Sequence, residues 1–128
     1  MKKYFQTALI FAALGVIFGF ASTTGAQIKT GGYKTASKTL VEVRAAADFA
    51  IKAQSAKDGT TYRLAAIEKA ETQVVAGTNY RLCLFISTVD EEAGVEIETS
   101  AFYQVVVFRN LKKEFSLKSW AEADCNVK

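Results

Sequence analysis

The 128-residue chain has no histidine and no proline, and only two cysteines and one tryptophan. Without histidine there can be no Ser-His-Asp or Cys-His nucleophile, no H-E-x-x-H zinc site and no imidazole acid–base chemistry. Two cysteines fall short of the four ligands a structural zinc usually takes. Strong net charge is also lacking. With Lys2 and Lys3 assigned to a leader, 14 basic residues face 13 acidic ones, a balance that argues against nucleic-acid binding. The adjacent carboxylates of Glu91 and Glu92 belong to a charged stretch that reads as a solvated turn. With no phosphate loop and no metal cluster, the sequence indicates neither an enzyme nor a cofactor.

One long hydrophobic run is present, at residues 8–21 (ALIFAALGVIFGFA), preceded by Met1-Lys2-Lys3 and followed by Thr24-Gly25-Ala26. As a helix its 14 residues would span about 21 Å, short of a hydrocarbon core of about 30 Å. The short basic start and the small residues at the junction fit a cleaved export signal. Residues 1–26 are therefore expected to be a signal peptide and residues 27–128 the mature domain, with cleavage after Ala21 as a second register. No later apolar run is long enough to cross a membrane. The product is expected to be secreted or periplasmic, free of the membrane once the signal is removed, and monomeric. Export allows Cys83 and Cys125 to pair, with one possible connectivity; the alternative is two free thiols in a core. The bond would close a loop of about 43 residues, worth roughly 4 kcal/mol in the chain-entropy model.

Residues 27–38 contain Gly31-Gly32 and no hydrophobic period, and read as a flexible arm. Thr39-Leu40-Val41-Glu42 fits a capping box, with Thr39 as the cap. Leu40, Val43, Ala46, Ala47, Ala50 and Ala53 then recur at helical spacing to about residue 56. The stripe is mostly alanine, so whatever covers it can approach closely; Phe49 and Ile51 widen it. Lys57-Asp58-Gly59-Thr60 closes the helix. Residues 62–75 form a long, rather polar strand whose imperfect alternation predicts a bulge or bend. Residues 79–89 alternate strictly, with Tyr80, Leu82, Leu84 and Ile86 on one face. Residues 90–94 read as a charged turn, 95–108 as a strand dense in Val, Phe and Tyr, 109–112 as a tight connection and 113–121 as the last strand, with Trp120 packed near its end. The expected fold is α+β: one long helix across a curved antiparallel sheet of four to five strands. In hairpin order the strand of Cys83 and the last strand are separated by one other, about 10 Å at 4.8 Å per step, and bridged Cα atoms usually lie within about 7 Å. The tail after Trp120 must then fold back over the outer face for the disulfide to close.

Gln73-Val74-Val75-Ala76-Gly77 matches the Q-x-V-x-G signature of the cystatins, inhibitors of papain-like cysteine proteases, and the following Thr78-Asn79-Tyr80-Arg81-Leu82 continues as in that family. Gly31-Gly32-Tyr33 lies where cystatins keep their N-terminal glycine. The run from Val43 to Ile51 (VRAAADFAI) is similar to the helix of plant and bacterial members. The chain thus resembles a cystatin over nearly the whole mature domain. The resemblance implies reversible occlusion of a protease cleft by three segments: the arm at Gly31 and Gly32, a first hairpin at Gln73, Val74, Val75, Ala76 and Gly77, and a second hairpin at Arg109 and Asn110. Papain-like cysteine proteases are the implied partners. In physical terms Val74, Val75 and Ala76 form a small apolar tip, Gly77 permits positive φ without bulk, and the Gln73 amide can bond locally to hold the loop. A charge introduced at Val75 or Gly77 is expected to abolish the contact and leave the fold intact. The second hairpin departs from the family pattern, because Arg109-Asn110 stands where many cystatins carry Pro-Trp, and Trp120 lies well past that turn. That departure keeps open a second possibility, an exported cystatin-fold binding or assembly module without inhibitory activity.

Overall fold

The alanine-rich stripe becomes a single helix, α1 (Val41–Asp58), in the computed structural model, which describes residues 32–125. Val43, Ala46, Ala47 and Ala50 are fully buried. Three of these four are alanines, so the helix presents a shallow face to the sheet. Ala53 is half-buried, and Leu40 lies 45% exposed, outside the stripe. The expected capping box does not form. Leu40 occupies the N-cap without a side-chain bond. The Thr39 hydroxyl instead pairs with that of Ser37 at 2.8 Å, and Ser37 Oγ also accepts the Thr39 N–H at 3.3 Å. Local hydroxyl bonding of this kind competes with capping. At the other end Gly59, at φ 74°, donates its N–H to the Ser55 carbonyl at 2.9 Å and ends the helix in the left-handed conformation.

Five strands follow chain order across one antiparallel sheet: β1 (Lys34–Thr35), β2 (Thr61–Val75), β3 (Gly77–Glu92), β4 (Val95–Arg109) and β5 (Phe115–Glu122). β1 corrects the reading of residues 27–38 as arm throughout. Lys34 and Thr35 pair with Thr72 and Glu71, and Ala36 donates to the Ala70 carbonyl at 2.9 Å. Their backbone groups make the strand, with no hydrophobic pattern to announce it.

The expected irregularity in β2 is present twice, between Leu64 and Ala66 and between Ile67 and Lys69. Each extra residue reverses the side-chain parity. Tyr62, Leu64, Ile67 and Ala70 therefore all fall opposite even-numbered β3 residues and turn the same way, toward the core. That core joins the helix stripe to Tyr80, Leu82, Leu84 and Ile86 of β3 and Val105 and Val107 of β4. Its open end beneath the helix C-terminus is filled by three rings: Trp120 stands 5.0 Å from Tyr62 and 5.0 Å from Tyr103. The Tyr62 hydroxyl donates to Asp58 at 2.6 Å. Burial, and then this bond to a carboxylate, push the Tyr62 phenol up to about 12.

β3 runs longer than expected and stays paired with β4. Their ladder continues through the charged stretch to Glu92 opposite Val95, leaving a two-residue turn at Ala93 (φ 52°) and Gly94 (φ 77°). Positive φ at both positions suits the twist of a hairpin. On the face away from the helix, Cys83 is bonded to Cys125 with Cα atoms 5.8 Å apart. The tail crosses β4 as anticipated, with Ala123 donating to the Phe102 carbonyl at 3.0 Å on the way.

Candidate functional site

The β2–β3 hairpin turns through a single residue, Ala76, since Val75 already pairs with Gly77. Val74 is 70% exposed at this tip, Ala76 is exposed and Val75 half-buried. The shoulder is held as the sequence suggests: Asn79, directly opposite Gln73, donates its amide to the Gln73 side-chain oxygen at 3.0 Å. Gly77 does more than spare bulk at the tip. Its φ of 126° is one that side chains rarely adopt, and a Cβ there would stand 2.7 Å from the Phe108 ring and closer still to the Arg109 carbonyl oxygen. The first hairpin therefore rests on the end of β4 through a glycine-sized gap. The expectation that a charge at Gly77 leaves the fold untouched is corrected by this packing.

The second hairpin, residues 110–114, lies beside the first, because Arg109 pairs with Thr78. Its organiser is Asn110, whose side-chain oxygen accepts the N–H groups of Lys112 and Glu114, both at 2.9 Å, while its amide donates to Glu114 Oε2 at 3.0 Å. The Lys113 N–H also bonds the Asn110 carbonyl at 2.9 Å, with Lys113 at φ 66°. Asn110 is thus spent on the loop. Arg109 is half-buried, with its guanidinium 5.7 Å from the centre of the Phe115 ring and its Nε buried without a hydrogen-bond partner. The outermost group is Leu111, 81% exposed, followed by the exposed Lys112 and Lys113. These three were missed at the sequence level. An asparagine able to close an Asx turn was the available signal.

The third segment reaches the same end of the sheet. β1 runs antiparallel to β2, so the chain before Lys34 heads toward the Val74–Val75 end. Tyr33 is fastened there by Arg81, whose guanidinium lies 3.9 Å above the ring. Arg81 also donates to Glu71, which bonds Lys69 at 3.1 Å. The Arg81 bond holds the Glu71 carboxyl below its usual range in spite of burial. This network occupies the charged lining of the shallow depression of about 500 Å³ beside the disulfide. Gly32 is exposed with open space around it. Gly31, and residues 1–26 with the expected signal peptide and its cleavage site, lie outside the described residues. Among the described residues, no group of three or more acidic or cysteine side chains is arranged to hold a metal ion.

The described contact residues proposed from sequence, Gly32, residues 73–77, Arg109 and Asn110, therefore converge on one end of the sheet, with the small tip of the first hairpin between the approach of the arm and the second hairpin. Comparison with known proteins gives a consistent picture. A family model described as a cystatin domain matches residues 31–97. L-cystatin of Tachypleus tridentatus is 38% identical over 90 residues, 69% of this chain and 60% of that protein. The chain thus matches about three fifths of that relative's length. A salivary cystatin from the soft tick Ornithodoros moubata superposes with a TM-score of 0.60 at 22% identity, covering 73% of this chain and 98% of that one. Al-CPI superposes at 0.56 with 25% identity, covering 73% and 100% of the respective chains.

Proposed function

The chain belongs to the cystatin family, and from that premise we propose that it is a reversible inhibitor of papain-like cysteine proteases, filling the cleft with the arm at Gly31-Gly32, the first hairpin at residues 73–77 and the second hairpin. The family is one of inhibitors and not of enzymes. The protein covers the catalytic cysteine of its target and leaves it unmodified. The observation that carries this reading is the narrow apolar tip at Val74 and Ala76, exposed and yet fixed by the Gln73–Asn79 bond and by the seat of Gly77 on β4. A preformed edge of this kind loses little freedom on binding. In the second hairpin, Arg109 and Asn110 act by holding the loop, and Leu111 makes the apolar contact. Residues 1–26 direct export, the mature protein works as a monomer outside the cytoplasm, and the Cys83–Cys125 bond suits an oxidising compartment.

Titration of papain with purified residues 27–128 tests the proposal. The expected result is a one-to-one loss of activity that recovers on dilution, with both proteins intact. One observation favours a second reading, a non-inhibitory binding module: the second hairpin offers a single leucine where an aromatic anchor would carry much of an interface. Full papain activity in excess of the folded protein would select that reading.

A further inference from the structure

The near-balance of charge conceals a strong polarity along the sheet. The distal part of the β3–β4 hairpin, exposed throughout residues 90–100, carries Asp90, Glu91, Glu92, Glu96 and Glu98. Of these only Glu96 has an ion-pair partner among the described residues, Arg63 at 3.2 Å. At the opposite end Lys112 and Lys113 are exposed at the tip of the second hairpin, with no carboxylate partner among the described residues. Glu114, the acidic residue next to them, is turned back onto the Asn110 amide. Glu96 and Arg109 lie thirteen steps apart along β4, about 43 Å at 3.3 Å per residue. The two poles thus lie further apart than the roughly 8 Å Debye length at physiological salt, and a target surface feels whichever pole faces it during approach.

Resting on the inhibitor reading, we propose that this polarity selects a class of target: a papain-like protease whose cleft rim is acidic where the second hairpin lands, with Lys112 and Lys113 as the residues that recognise it. The Asn110 hub fixes the backbone from which both lysines project, so their charges stand beside Leu111 at no further cost in loop ordering. An acidic rim attracts this pole and repels the carboxylate hairpin at the far end, which turns the molecule tip-first during approach. Net charge near zero supplies no such torque. Rim charges of this sort act on association rate and its salt dependence more than on the lifetime of the complex.

The test uses the mature chain and two forms of papain, one with two glutamates and one with two lysines introduced on the rim under the second hairpin. Stopped-flow association at roughly 0.02 M salt should be on the order of tenfold faster with the glutamate form, and the difference should collapse at roughly 0.5 M. The double variant Lys112→Glu/Lys113→Glu should reverse the preference. Equal rates for the two papains, or an unchanged preference in the double lysine variant, overturns the proposal while leaving the inhibitor reading in place. Failure of the parent chain to inhibit unmodified papain at any salt concentration overturns both.

Discussion

Replacing Gly77 by alanine adds one methyl group at the point where the two hairpins touch. The added carbon would meet the Phe108 ring at 2.7 Å and the Arg109 carbonyl at shorter range, at a φ of 126°. A side chain held in such a backbone region costs about 1–3 kcal/mol, and overpacking a filled contact typically costs about 1–3 kcal/mol. The ring can swing aside more readily than the carbonyl, which is tied into the ladder between Arg109 and Thr78, so the combined penalty is expected near 3 kcal/mol. For a domain of this size that corresponds to a fall in Tm of about 12–24 °C. The domain should still fold, with the first hairpin lifted away from the second. Gly77→Ala is therefore expected to weaken papain inhibition at a temperature where circular dichroism reports a fully folded protein. Thermal unfolding and inhibition are measured on the same preparation. An unchanged Tm together with unchanged inhibition would refute the idea that this glycine sets the spacing of the two hairpins.

Val74→Asp is the complementary perturbation: at 70% exposure it should leave the denaturation midpoint within about 0.5 kcal/mol of the parent while abolishing inhibition, since a carboxylate would be desolvated in the closed cleft. The Cys83–Cys125 bond spans 42 residues, so reduction should cost about 4 kcal/mol in the chain-entropy model, read as a lower urea midpoint; coincident oxidised and reduced curves would contradict this. The folded-state pKa of Glu71 is lowered by Arg81, so its contribution is complete above the ordinary glutamate value of 4.5 and is lost as pH falls below it through the depressed value. Glu71→Gln should accordingly flatten the acid limb of a stability-versus-pH curve, and a limb as steep as the parent's would remove Glu71 from the acid response. Tyr62, raised to about 12, should be among the last phenols to ionise in an ultraviolet titration, and Tyr62→Phe should remove that late component; stability tied to it is present below the ordinary tyrosine value of 10 and lost as pH climbs through about 12.

Much of the fold was legible because burial writes a period into the sequence. The alanine stripe of α1 and the alternation of β3 each match the face that the structure buries. In β2 the signal was a failed alternation, and two bulges account for it. What the sequence did not disclose was set by backbone bonding and by contacts between distant residues. β1 is two residues of polar chain recruited by unpaired groups on β2. The capping box at Thr39 lost to a nearby serine hydroxyl. The end of β3, Asp90 to Glu92, carries charges that suggest a turn, yet its ladder with β4 depends on backbone groups that any side chain leaves available. At the candidate site, Gln73 through Gly77 stood out as a motif, whereas the tip at Leu111 emerged only once Asn110 was seen to fold the loop around itself.

The coincidence of sheet order with chain order bears on how the protein reaches this structure. Each strand from β2 onward lies beside its immediate successor, so the sheet can grow by successive hairpin closures of low loop entropy, starting from the tight turns at Ala76 and at Ala93-Gly94. Two events need longer excursions: the docking of β1 and α1 onto the finished face, and the passage of the tail over β4 to Cys83. Within the folded sheet the thiols meet only where β5 and the tail after it are docked, so the bond there locks an assembled meander. A chain oxidised before it folds carries the same bond as a closed loop spanning 42 residues, within which all of β4 and β5 must then assemble.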